Sequence, residues 1–261
     1  MASLNHKHMY DYEKEAKQYI IRRVELQQSA IFSVKDKMFT AIKKIVKIAK
    51  RYNIHPSKFS FSSNKKMKYE IDAVIEELLS GILNIVKHKT MDGIKDKEEK
   101  SKILLWLALA FKGKTLSQRL TKYLADWERE LQPQVAAAIS KRVSDENAAI
   151  TITQSLSNAR NSYLYRYALS KGYEGTTMNV GRVGTYRNAF NNISRAVSDQ
   201  IARTHQQIYY DIRHPDAQKW LVMRGSRYPC SLCDSMCGVK QREDDLPPFH
   251  PNCCCIAIPI Q

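Results

Sequence analysis

The sequence predicts a mainly α-helical protein, long helices in a bundle, closed at its C-terminus by a small α+β region. Three observations carry that prediction. Through most of the first 213 residues apolar side chains recur at steps of three and four, the period of a helix with one buried face. No convincing strand precedes the C-terminal stretch, where CCCIAIPI alternates as a strand does. All six cysteines, at 230, 233, 237, 253, 254 and 255, lie in that same stretch.

Taken in order, Tyr10 to Tyr52 hold neither proline nor glycine and place Ile20, Val24, Ile31, Val34, Met38, Ile42, Ile45 and Ala49 at near-helical spacing. They form one long amphipathic helix or two, with Lys35, Lys37, Lys43, Lys44, Lys47 and Lys50 on or near the polar face. His55-Pro56 stops the run, because proline has no amide proton and pushes its predecessor out of the helical region. HPSKFSFSSNKK then reads as a linker that marks a candidate split near 53–66. A second helix runs from Met67 to His88 on Ile71, Val74, Ile75, Leu78, Leu79, Ile82, Ile85 and Val86.

Asp92 to Lys102 is a charged connector or a helix start, and Ile103 to Phe111 (ILLWLALAF) is apolar nearly all round. Such a helix is central to a bundle or covered by another subunit. Thr115 to Val143 is helical on Leu116, Leu120, Tyr123, Leu124, Trp127 and Leu131, with a break expected at Pro133 and Val135 and Ile139 beyond it. Asn147 to Ser170 is a polar helix carrying Tyr163, Tyr165 and Tyr167. Gly172 to Gly184 holds four of the nine glycines but lacks the Gly-Lys-Ser/Thr ending of a phosphate loop, so it reads as a flexible turn. Tyr186 to Ile212 is a helix with Phe190, Ile193, Val197, Ile201, Thr204 and Ile208 on one face and Arg187, Arg195 and Arg203 on the other.

From Trp220 to Gln261 the pattern changes. Cys230-x2-Cys233 is followed, after sixteen residues, by His250-Pro-Asn-Cys253-x-Cys255. Two short clips of thiolate and imidazole can close a tetrahedral shell around zinc, which makes this a zinc-knuckle-like region. The ligands are four of Cys230, Cys233, His250, Cys253 and Cys255; the alternative is cysteines that pack the fold without metal. Cys237 is a spare. Cys254, Ile256, Ile258 and Ile260 share one face of the final strand, so Cys254 reads as a small buried hydrophobe. Prolines 247 and 248 fix an extended approach to His250. His205 and His214 read as surface or packing residues.

The metal is expected to be structural. Pro229-Cys230-x-x-Cys233 echoes half of the nucleobase deaminase signature, but neither His205-Gln-Gln nor His214-Pro-Asp gives the upstream His-x-Glu which that chemistry needs. A zinc-dependent nuclease or toxin-like protein acting on DNA is the alternative from another class, although no second histidine follows His250. A stand-alone DNA-binding regulatory module would need a recognition helix, and none is evident.

The net charge is +16. After His214 five basic residues face five acidic ones, so the surplus lies in residues 1–213. A polycation of this kind points to nucleic acid or an anionic surface, against the bland reading of a solvated lysine-rich exterior. Lys43, Lys44, Lys47, Arg187, Arg195 and Arg203 are the candidate DNA-binding residues. The N-terminus is polar with no signal peptide, and ILLWLALAF is about half the length a bilayer needs, so no membrane is expected. Clustered reduced cysteines point to assembly in a reducing cytoplasm.

Trp220, Pro229, Cys230, Cys233, Gly238, Pro247, Pro248, His250, Pro251, Asn252, Cys253 and Cys255 together resemble the C-terminal signature of the phage Mu protein F-like minor head proteins, the phage head morphogenesis family. Ala202-Arg203-Thr204 fits that family's Arg-Thr-Glu helix, with His205 where the acid usually stands, and Cys254 replaces the usual arginine. The resemblance covers 150–261 and is strong from 220 onward. It implies a head-morphogenesis domain over 147–261 behind a basic helical region over 1–146. It further implies a non-enzymatic minor capsid protein of a tailed phage or prophage, at work in the host cytoplasm during procapsid assembly. In the virion it would sit at the portal vertex or capsid interior, with portal protein, major capsid protein and packaged double-stranded DNA as partners and a homo-oligomer as one arrangement.

Overall fold

The computed structural model describes residues 6–109, 113–157, 188–225, 230–250, 253 and 255–260, with side chains from Lys14 onward except Ala16. Among them are α1 (His6–Arg51), α2 (Lys65–Thr90), α3 (Lys97–Ala108), α4 (Leu116–Ser140), α5 (Asp145–Ser157), α6 (Ala189–Ile208), α7 (Ser231–Met236) and strands β1 (Lys219–Met223), β2 (Gly238–Gln241) and β3 (Ile256–Ile260). The protein is therefore mainly α-helical with a small α+β region at its C-terminus. The readings on Tyr163, Tyr165, Tyr167, Gly172–Gly184, Tyr186, Arg187 and Cys254 lie outside the described residues.

The chain separates into two compact units, one built from Met1–Ile31, Val86–Leu109 and Val197–Gln261, the other from Phe32–Ile85 and Ala110–Ala196. The boundary expected between 146 and 147 falls inside α5.

In the second unit the helices bury the stripes that the period predicts: Val34, Met38, Ile42, Ile45 and Ala49 of α1, Met67, Ile71, Leu78 and Ile82 of α2, and Leu120, Leu124, Trp127 and Leu131 of α4. Thr115 caps α4 through a reciprocal capping box with Gln118, which satisfies two amides that the first turn leaves without partners. Pro133 does not break α4. It stands on an exposed position, where the ring meets water instead of packed neighbours. The stretch 55–66 is likewise not a bare linker. It forms two 3-10 turns, Pro56–Lys58 and Phe61–Ser63, buries Phe59 and Phe61, and donates the Phe61 amide to Gln132 Oε1 at 3.0 Å. Two phenylalanines outweigh the surrounding serines and lysines, because each buries a large apolar area. Asn188 caps α6 by accepting from the Asn191 amide at 2.7 Å, and buried Glu130 accepts from the Ala189 amide at 3.4 Å.

In the first unit α1 is one helix, and its buried stripe differs from the expected one. Tyr19, Arg23, Leu26 and Ala30 face inward, whereas Val24 is 42% exposed. α3 is not central to a bundle: Ile103 is buried with Ile94 and Ile208, while Leu105 and Leu109 are 67% and 62% exposed. The sheet has the order β2-β1-β3, antiparallel throughout. Trp220 on the central strand is fully buried against Tyr209, Tyr210, Val222 and Ala257, with the Tyr210 and Trp220 rings edge-to-face at 4.6 Å. On the other face Ile256 and Ile258 pack with Tyr19, Ile20, Leu221 and Met223. Arg242 ties the β2 end to the turn after α6, donating to the His214 and Ala217 carbonyls and pairing with Asp211 at 2.9 Å.

His205 packs on Tyr19 with ring centroids 4.7 Å apart, and Tyr19 donates to Gln206 Oε1 at 3.0 Å. Burial, then the positive charges of Arg23 and Arg22, push the His205 pKa down to about 4. The unfolded chain takes up this proton near 6.5 and the folded chain only near 4. The neutral ring's contribution to stability is thus full above about pH 6.5 and is lost as pH falls toward 4, by up to ~1.4 kcal/mol per pH unit. Urea denaturation from pH 7 to 4 is expected to show this acid limb in the parent protein and a flatter one in His205→Gln. Equal slopes in the two would contradict the assignment.

Candidate metal centre

Local structure at three places brings the soft donors together. Cys230 stands at the N-cap of α7 and its carbonyl accepts from the Asp234 amide at 2.9 Å, so Cys230 and Cys233 occupy one helical turn. Buried Pro247 and Pro248 lead to His250, with the Pro247 carbonyl held by the Tyr210 hydroxyl at 3.2 Å. The Cys253 amide then turns back onto the His250 carbonyl at 3.0 Å. Cys255 enters β3, whose Ile256 pairs with Met223 of β1.

Two groups of donors result, Cys230/Cys233/His250 and Cys233/Cys253/Cys255, and within each the ligand atoms lie within 4.8 Å of one another. Cys233 belongs to both. Its Sγ is 3.0 Å from His250 Nε2 and 3.8 Å from Cys253 Sγ, and Cys230 Sγ is 3.2 Å from the same nitrogen. With metal–sulfur bonds of ~2.3 Å, the edges of a tetrahedral shell are about 3.5–3.8 Å. The separations of 3.0, 3.2 and 3.8 Å lie within about half an ångström of those edges, so each group of three could hold a metal ion. Cys233, Cys253 and Cys255 are buried, Cys230 and His250 half-buried, and Phe249 packs against them. Neither group includes a carboxylate.

The thiols do not titrate alike. Cys253 is pushed down to about 5, chiefly by the hydrogen bond from the Cys255 thiol, against burial. Cys255, the donor of that bond, is raised, by the bond first and by burial second. Burial pushes Cys233 up to about 12. At Cys230 burial also raises the pKa, but hydrogen bonds from Cys233 and the charge of His250 outweigh it, and the net shift is downward. Thiolates crowded in a buried site repel one another, and a divalent cation relieves that repulsion by replacing the shared protons.

Cys237 packs beside Trp220 and belongs to neither donor group. His205 and His214 do not join them either. His214 pairs with Glu15 at 3.2 Å and stacks edge-on against Tyr209.

The candidate DNA-binding residues are distributed differently. Lys43 pairs with Glu146, Lys44 contacts both carboxylate oxygens of Glu77 at 2.7 Å, and exposed Lys47 shares a groove with Lys44, Lys50, Arg51, Glu77 and Asp145. Arg195 reaches the Tyr123 hydroxyl at 3.5 Å, and half-buried Arg203 pairs with Asp199 at 3.1 Å. Arg187 lies outside the described residues.

Arg23 is the residue that periodicity missed. It is 1% exposed and donates from Nη1 to the Cys255 carbonyl at 3.2 Å. The signal was present in the steps Tyr19, Arg23, Leu26, Ala30, Val34, an inward stripe into which one cation falls.

Cys233→Ser removes the donor common to both groups and is expected to abolish metal retention. Amides of 219–223 and 256–260 should then exchange at least about tenfold faster, a local loss of ~1.4 kcal/mol or more. Cys237→Ser, by contrast, should exchange as the parent does. Unchanged protection in Cys233→Ser, read by hydrogen exchange, would contradict the donor assignment.

No family model, curated protein or solved structure matches the chain.

Proposed function

We propose that this protein is a minor head protein of a tailed phage or prophage, acting without catalysis in procapsid assembly beside the portal and the packaged DNA, and that its Cys/His cluster holds one structural zinc ion. One observation carries the reading. Trp220, Pro247, Pro248, His250, Cys253 and Cys255, residues of the motif that resembles the head morphogenesis family, belong to one folded piece in which sheet, aromatic core and donor cluster adjoin.

The zinc assignment follows from the donors. Thiolates with one imidazole suit zinc, and drawing the two groups of three together about their shared Cys233 would supply four protein ligands and leave no need for water as a ligand. A closed site of that kind cross-links the chain. It offers no coordination position for a substrate, which favours a structural part over the nuclease alternative. When bound, zinc would contribute folding free energy to the sheet.

The place beside DNA rests on charge. The surplus of +16 is confined to residues 1–213, although many of its lysines and arginines already face a carboxylate. Partial pairing lowers the affinity expected of a polycation without removing the long-range attraction. Contacts to the portal or major capsid protein would then fall to surfaces other than the donor cluster.

Filter binding to plasmid DNA is expected to show sequence-independent affinity that falls at least about tenfold between ~50 and ~200 mM salt, with the plasmid left intact. Absence of binding at the lower salt would remove the DNA part of this reading. Cleavage in the presence of divalent metal, lost in His250→Ala, would replace it with the nuclease.

A further inference from the structure

Arg23 is a charged side chain without an evident reason to be buried. Its guanidinium stays protonated at any ordinary pH, and burying such a group costs several kcal/mol unless an anion faces it. Yet among the described residues no carboxylate pairs with it. Its neighbours are neutral: the Cys255 carbonyl, which accepts from Nη1, and the Tyr19 ring, 5.9 Å from the guanidinium carbon. Its Nε is buried with no hydrogen-bond partner. Arg224, the other arginine near the cysteines, is different, since Asp234 already neutralises it.

What Arg23 touches is the backbone that carries the donor cluster. It donates at 3.2 Å to the backbone of Cys255, a candidate ligand residue, and the isoleucine face of the strand that follows, opposite in alternation to Cys255, packs against Tyr19 and Ile20 of the same helix. Three thiolates and an imidazole around a divalent ion carry a net charge of about −1, and four thiolates about −2. A buried anion and a buried cation, each costly alone, offset one another when placed together.

We infer that Arg23 is the counter-charge of the Cys/His centre: its buried guanidinium fixes the Cys255 carbonyl, and with it the ligand strand, and balances the negative charge of the metal–thiolate cluster. The inference rests on the zinc reading above. Arg23 acts through the ligand residue and is therefore a positioning residue. It also gives the N-terminal helix a reason to hold the C-terminal strand, because the cation on one and the anionic cluster on the other are each unfavourable without their partner.

The test uses the full chain as parent, Arg23→Gln and Arg23→Lys, with zinc affinity measured by competition against a chromophoric chelator. Arg23→Gln keeps a donor but loses the charge, and its affinity should fall by about ten- to a hundredfold, the range typical of residues that support metal ligands. Arg23→Lys keeps the charge and should stay within about threefold of the parent, by the same scale. A background of Cys230→His separates charge from shape. That change removes one thiolate and keeps a ligand, so the penalty of Arg23→Gln should shrink there if charge is what matters, whereas a purely structural role leaves it the same.

Parent-like affinity in Arg23→Gln, or an unchanged penalty in the Cys230→His background, overturns the inference. If Arg23→Gln is too unstable to purify, Arg23→Lys decides: retained affinity supports the counter-charge, and a loss of tenfold or more overturns it. A parent protein that binds no zinc at all would instead sink the zinc reading on which the inference stands.

Discussion

The C-terminal region brings five soft donors together from stretches that have little else to hold them. Its three strands contain five, four and five residues, and α7 contains six. The apolar core between them amounts to Trp220, Val222, Ile256, Ala257, Ile258 and a few aromatic neighbours. A sheet of that size buries too little apolar surface to fix residues 242–250 as well, and small domains with this deficit use metals or disulfides. Convergence of Cys230, Cys233, His250, Cys253 and Cys255 on a metal ion would answer that constraint, because Cys230 and Cys233 come from α7 and its N-cap while His250, Cys253 and Cys255 come from the chain between β2 and β3. The thiolate repulsion that opposes their convergence is the same quantity that a cation would relieve.

Much of this was legible in the sequence, for reasons that differ by region. The long helices follow from uninterrupted three- and four-residue spacing, a signal that survives errors of one or two residues at either end. The candidate ligands follow from two clips whose spacing has few other uses. What escaped reading depends on contacts distant in sequence. Phe59 and Phe61 are buried where Gln132, some seventy residues away, accepts hydrogen bonds from the Phe61 amide and the Ser60 hydroxyl. Pro133 sits within a helix because its ring faces solvent. The inward face of the first part of α1 was displaced by one position, since a stripe containing Arg23 scores as less apolar than the neighbouring one containing Val24. α3 is expected from its sequence to be central to a bundle or covered by another subunit, and the exposure of Leu105, and of Leu109 just past its end, goes against only the first of these.

Charge shows the same limit. A surplus of +16 is visible in composition, but pairing is not. Lys43 with Glu146, Lys44 with Glu77 and Arg51 with Glu70 each set a cation against an acid far enough away in sequence to be missed by a count along the chain. Exposed pairs of this kind add little to stability, typically below about 1 kcal/mol. Their consequence is for the charge distribution: pairing leaves a more diffuse positive field than the count alone suggests.

The central claim is a closed metal centre in the C-terminal region, and elemental mass spectrometry on protein purified without chelator, run beside a thiol titration of the folded chain, tests it most directly. The account predicts one zinc ion per chain, with the thiols that hold it protected from reaction and Cys237, outside both donor groups, open to it. A folded protein that carries no metal and in which most of the six thiols react would contradict it.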